Sequence, residues 1–257
     1  MMMSGRDAMT LLHDMHCHLD FMENGEEIAE RAREDGALVF ANTVTPEGWE
    51  ASCTRFAPFE NVVTGLGLHP WWVNGKDDSR RALEMLGQHD PRVIGEIGLD
   101  LGRRHADTAD AQRTAFEDIL RWSASRGRKL ISIHSVHAAK EALDLLESTG
   151  AAESCTCIFH WFTGPSDQLK RAVQDGCYFS FGPRALGTGK GREYVKAIPT
   201  TRLLLETDYP PNQGDTCAYD RYKSELQSAA NSITAIKGPD SLPQIAETAS
   251  KLLKEDS

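Results

Sequence analysis

The chain has 257 residues, is 40% hydrophobic, and sets 28 basic against 38 acidic side chains for a formal net charge of -10. That length suffices for a large core in one domain, and the negative balance disfavours non-specific attraction to a polyanion over most of the surface. The N-terminal MMMSGRDAMTLL lacks the apolar run of a signal sequence, and no later window reaches the roughly 20 apolar residues of a membrane span. A cytoplasmic protein without a membrane partner is therefore expected, with residues 1–10 as a flexible extension ahead of a domain at 11–257.

Eight short β-like runs follow in chain order: LLHDMHCH (11–18), LVFANTV (38–44), VVTGLGLH (62–69), RVIGEIGLD (92–100), KLISIHS (129–135), CTCIFHWF (155–162), CYFSFGP (177–183) and RLLLETDY (202–209). Between them lie amphipathic helical segments, with Phe116, Ile119, Leu120 and Ser123 on one face of the fourth and Ala139, Ala142, Leu143 and Leu146 on one face of the fifth. Regular βα alternation predicts a parallel sheet covered by helices, and eight units predict closure into an α/β, TIM (β/α)8 barrel. The segment 218–255 reads as two helices separated by KGPDS, an extra C-terminal helix completing the outer ring. None of the six cysteines forms a CxxC pair, so buried reduced thiols are expected.

The polar residues fall in one place. His18, His69, Asp100, His134, His160 and Asp208 lie at or near the C-terminal ends of their strands, with His16 and Glu96 slightly further in. In a barrel those ends converge on the face that carries the βα loops. His16 and His18 are two apart, so on a strand both imidazoles share a face while Cys17 points away. Alone, HxH is a weak signal, since polar strand ends carry such pairs by chance. Histidines and carboxylates at matching positions on other strands strengthen it, and a His-rich set suits Zn, Mn, Fe or Co better than an all-oxygen cage for Mg or Ca.

HCHLDF, GLHPW, IGEIGLD, IHS, FHWFTG and ETDYP resemble, in order, the motifs of the TatD-like metal-dependent nucleases, within the wider amidohydrolase-type barrels. The resemblance implies a deoxyribonuclease with two divalent metal ions (Zn, Mn, Mg or Co). His16, His18 and Asp208 would hold one ion, His134 and His160 the other, and Glu96 would bridge them. Asp208 would also orient the attacking water and accept its proton. The substrate implied is DNA, single-stranded or at an end. HWFTG followed by GCYFSFGPRALGTGKGR further resembles the TatD-like member of the Qat antiphage defence systems of bacteria, which implies protein partners in a defence complex.

Other residues keep two readings. His69 either donates a hydrogen bond to a substrate phosphate or caps a strand end beside Pro70. Glu206 either orients a ligand or a lysine or forms a buried ion pair, and Asp100 either orients a ligating histidine or caps the following helix. Arg184, Lys190 and Arg192 sit in a glycine-rich stretch that either grips a phosphate backbone or is a solvated mobile loop. Trp71, Trp72, Trp161 and Phe162 either stack a splayed base or pack beneath the loops. Asp14 and Asp20 read as loop and barrel-base residues, and His13, His89 and His105 as surface imidazoles. Two departures from the family bear on substrate: IHSVHA puts Val136 and His137 where many relatives have Arg and Asp, and PNQGDTCAYDRYK replaces their usual continuation after ETDYP. A small-molecule amidohydrolase or lactonase, and a metal-stabilised assembly subunit, are the competing functions.

Overall fold

The computed structural model describes residues 12–254; the extension expected at 1–10 lies outside them. Eight strands run in sequence order, β1 (Asp14–Cys17), β2 (Val39–Asn42), β3 (Val62–Leu68), β4 (Val93–Asp100), β5 (Leu130–Val136), β6 (Thr156–His160), β7 (Tyr178–Phe181) and β8 (Leu203–Leu205). Every neighbouring pair from β1–β2 to β7–β8 is parallel. Past β8 the chain returns to β1: the Asp208 amide donates to the His16 carbonyl at 2.9 Å, and the His18 amide donates to the Tyr209 carbonyl at 2.8 Å. The expected single-domain TIM-type barrel is therefore the fold.

Asp14 clamps the seam where the barrel closes. It is fully buried and accepts from the amides of His16 and Thr207, both at 3.1 Å, and from the hydroxyls of Thr207 at 2.6 Å and Tyr222 at 2.7 Å. Tyr222 belongs to the long helix Tyr219–Lys237, so one carboxylate ties β1, the end of β8 and the outer ring together. The final helix, Ser241–Lys254, plugs the other end. Its Ala249, Leu252 and Leu253 pack against an apolar floor of Met15, Leu38, Phe40, Val93, Leu130, Ile158 and Leu204.

One extra residue in β1, between Asp14 and Cys17, and one in β4, between Ile94 and Glu96, shift the pairing register. Such bulges re-aim side chains, and these two lie on the strands that carry His16 and Glu96. The strands pack so closely there that a Cβ on Gly67 would meet the Thr43 carbonyl oxygen at 1.8 Å and the Glu96 amide at 2.9 Å.

Several expectations require correction. β8 ends at Leu205, so strand alternation does not place Asp208; it sits in the left-handed region at φ 54. The glycine-rich stretch after β7 is not a mobile loop but two short helices, Pro183–Leu186 and Gly189–Ala197, the second capped by the Thr188 hydroxyl. His13 is no surface imidazole: it is 3% exposed and its Nδ1 accepts from the Leu38 amide. His89 is exposed at its helix end, as expected, and packs edge-on against Trp49. Cys53 and Cys155 are half-buried, whereas the other four cysteines are buried.

Candidate metal centre

Glu96 stands at the centre of the polar cluster, 1% exposed, with its two oxygens facing different histidines. Oε2 lies 3.4 Å from His16 Nε2 and 3.3 Å from His18 Nε2, and Asp208 Oδ1 lies 3.6 Å from His18 Nε2 and 4.0 Å from His16 Nε2. Oε1 lies 2.8 Å from His134 Nδ1, 3.1 Å from His160 Nε2 and 3.3 Å from His69 Nε2. The six residues expected to ligate metal are thus brought together from β1, β4, β5, β6 and the segment after β8.

These atoms are matched to a cation. His16 Nε2 and Glu96 Oε2 are buried without a hydrogen-bond partner, an arrangement that is costly for polar groups unless something else satisfies them. Among the described residues, three sets of ligand atoms lie within 4.8 Å of one another: His16, His18 and Asp208; His16, Glu96 and His160; and His69, Glu96 and His134.

Groups behind the histidines decide which nitrogen is free to bind. His18 Nδ1 faces the Asn42 carbonyl oxygen at 2.8 Å, an acceptor only, so in the neutral ring it carries the proton and Nε2 is the lone pair. Carboxylates also stand behind two other rings, Glu206 Oε2 at 3.6 Å from His160 Nδ1 and Asp100 Oδ2 at 3.7 Å from His134 Nε2, both beyond hydrogen-bond length. His16 Nδ1 pairs with the Ser132 hydroxyl at 2.8 Å. His69 is the opposite case: its Nδ1 accepts from the Trp71 amide at 3.1 Å, so the neutral ring keeps its proton on Nε2, the atom aimed at Glu96. Its tautomer suits a hydrogen-bond donor rather than a ligand.

The electrostatics follow from burial and mutual proximity. Burial pushes both His16 and His69 down to about 4. Burial also opposes charge on His18, but Asp208 and Glu96 outweigh it and raise the ring to about 9. Despite its own burial, Glu96 is held well below the usual carboxylate range by His69, His16 and His160. Glu206 is raised, mainly by burial.

Behind the cluster, Asp100 does not cap a helix: Oδ2 accepts from the Trp71 indole N–H at 2.7 Å as well as facing His134, and Oδ1 accepts from the Gly102 amide at 2.9 Å. Glu206 accepts from the Ser180 hydroxyl at 2.5 Å. Ser132, Ser180 and the Asn42 carbonyl were not anticipated. Ser132 is legible in retrospect, because it lies two residues before His134 and so shares its face of β5.

A cleft of about 530 Å³ opens above the cluster, lined by His18, His69, His134, His160 and Asp208 together with Trp71, Trp72, Trp161, Val136 and Arg184. Of the cations expected after β7, Arg184 reaches this cleft; Lys190 instead donates to the Thr163 carbonyl and Arg192 to the Leu186 carbonyl. Phe162 is buried against Phe159, Phe179 and Tyr194 and does not face the cleft. His137, next in the chain to the cleft-lining Val136, adopts φ 54 and lines a separate groove. His105, expected as a surface imidazole, is half-buried and stacks on Trp71.

Known proteins share both the sequence and the fold. Deoxyribonuclease TATDN3 of Homo sapiens is 27% identical over 216 residues, covering 77% of this chain and 78% of that protein. The 3'-5' ssDNA/RNA exonuclease TatD of Dickeya dadantii is 29% identical over 201 residues, covering 74% of each. A crystal structure of a TatD family hydrolase from Entamoeba histolytica superposes with a TM-score of 0.77 at 16% identity, covering 95% of this chain and 98% of that one. The model of the TatD related DNase family matches residues 13–254. The chain belongs to the TatD related DNase family, whose members are metal-dependent hydrolases.

Proposed function

We propose that the protein is a deoxyribonuclease that hydrolyses phosphodiester bonds at a centre of two divalent metal ions. The observation that carries this reading is Glu96, whose two oxygens face separate histidine pairs: His16 and His18 on one side, His134 and His160 on the other. His16, His18 and Asp208 would hold one ion, His134 and His160 the second, and Glu96 both. The nitrogen-rich set favours Zn, Mn or Co over Mg. When bound, two such ions neutralise phosphoryl oxygens and bring the pKa of water towards neutrality.

The chain's own groups supply the rest. Asp208, lowered in pKa by His18 and its neighbours against the effect of burial, is ionised and accepts a proton from the attacking water. His69 donates its Nε2 proton to a phosphate oxygen, and Arg184 adds positive charge at the rim. Asp100 and Glu206, behind His134 and His160, place negative charge against the rings and orient them. The substrate is DNA, single-stranded or at an end, in line with the name of the Dickeya dadantii relative.

The test is cleavage of labelled oligonucleotides with Mg, Mn, Co or Zn, alongside metal content. Activity with about two ions per chain, abolished in D208N, is expected; a metal-replete wild type no faster than D208N would overturn the assignment. We further propose that the protein is cytoplasmic and acts in an antiphage defence complex of the Qat kind, on the resemblance carried by HWFTG followed by GCYFSFGPRALGTGKGR. Among the described residues no helix is long and apolar enough to cross a membrane. Protection from phage by the wild type, lost in D208N, is the corresponding measurement.

A further inference from the structure

Among the described residues two large hydrophobic side chains stand open to solvent, Trp71 at 52% exposed and Trp72 at 36%, and both line the cleft. They belong to a row of rings. His105 lies 5.1 Å from Trp71 with planes 11° apart, and Trp71 lies 6.4 Å from Trp72 with planes 18° apart. Trp72 then meets Phe21 at 6.2 Å, and Phe21 stacks on His18 at 5.3 Å. The row thus runs from the segment after β4 to one of the candidate ligands.

The charge next to the row is unusual for so acidic a protein. Most described arginines are engaged with carboxylates, carbonyls or rings. The guanidinium groups of Arg103, Arg104, Arg128 and Arg184 have no such partner. Arg103 and Arg104 immediately precede His105 and are exposed, and Arg184 lines the cleft.

We propose that the His105–Trp71–Trp72 row is a stacking wall for the unpaired bases flanking the scissile phosphate of a single DNA strand, with Arg103 and Arg104 binding the adjoining phosphates. The inference rests on the nuclease reading and goes further in naming what the site recognises. Flat apolar faces beside cations are what a single strand requires, because every base has a stacking face and every link a negative charge. Bases already stacked within a duplex cannot use the wall. Trp71 also connects recognition to the centre: the indole that stacks donates to Asp100, which faces His134.

The test uses the intact protein and nuclease-resistant phosphorothioate strands, so that binding is read without turnover. Oligothymidylate should quench tryptophan fluorescence and bind about tenfold or more tighter than a strand of equal charge with tetrahydrofuran in place of its bases. W72A should remove most of that difference and leave binding of the base-free strand unchanged, and W72F should restore it. R103S/R104S should weaken both strands alike and flatten the salt dependence. Equal binding of the two strands by the wild type, no binding of either, or equal weakening of both by W72A would overturn the proposal. Failure of the nuclease reading looks different: ordinary oligonucleotides would stay uncut with every metal, whatever the binding curves show.

Discussion

The Trp71 amide donates to Nδ1 of His69 at 3.1 Å, and this contact separates His69 from the histidines around it. His18, His134 and His160 each have an acceptor behind the ring; His69 has a donor. H69A should therefore keep the metal content of the wild type while kcat falls by about 10²- to 10³-fold, the usual cost of losing one transition-state donor. Loss of an ion in that variant, read by elemental analysis, would instead make His69 a ligand.

Asp100 and Glu206 sit behind His134 and His160 at 3.7 and 3.6 Å. D100N and E206Q keep the shape of each side chain and remove its charge. Metal affinity should weaken by about 10- to 100-fold in each, measured by competition with a chromophoric chelator. Unchanged affinity would confine both carboxylates to packing.

In the metal-free protein His18 titrates at about 9 against its ordinary value of 6.5, because Asp208 and Glu96 outweigh burial. The folded state then holds a proton that the unfolded state releases, so this stabilisation is complete below 6.5 and is lost as pH rises through 9. Chelator-treated protein should show a falling Tm over that window. A cation must displace the same proton, so metal affinity should rise with pH and binding should release protons, detectable by calorimetry in buffers of different ionisation enthalpy. A Tm that climbs across the window would contradict the assignment.

Gly67 touches the backbone that carries Glu96, and an added Cβ would press on the Thr43 carbonyl at 1.8 Å. G67A should cost about 3 kcal/mol, the upper end for overpacking. The same change at Gly75, where nothing lies within 4 Å, should be close to neutral. Denaturant unfolding of the two variants makes the comparison.

Much of this was legible in one dimension. Alternating β and α periods are local signals, and eight of them leave few architectures other than a barrel. The candidate ligands could also be found, because a barrel turns position along a strand into height above the floor, so polar residues at strand ends must meet. Residues outside the strand period were less accessible. Asp208 reaches the cluster through a left-handed backbone rather than by alternation, and the stretch after β7, read as a glycine-rich loop, coils into helices that tie Lys190 and Arg192 to carbonyl groups.

The sequence by itself determined the barrel and its ring of histidines and carboxylates, since both depend on periodicity and residue type. Only the tertiary structure decided which nitrogen of His18 and of His69 is free, that Asp14 closes the seam, and that Trp71, Trp72 and His105 align beside the cleft. Those properties depend on contacts between residues far apart in the chain, where differences of a few tenths of an ångström decide which group donates and which accepts.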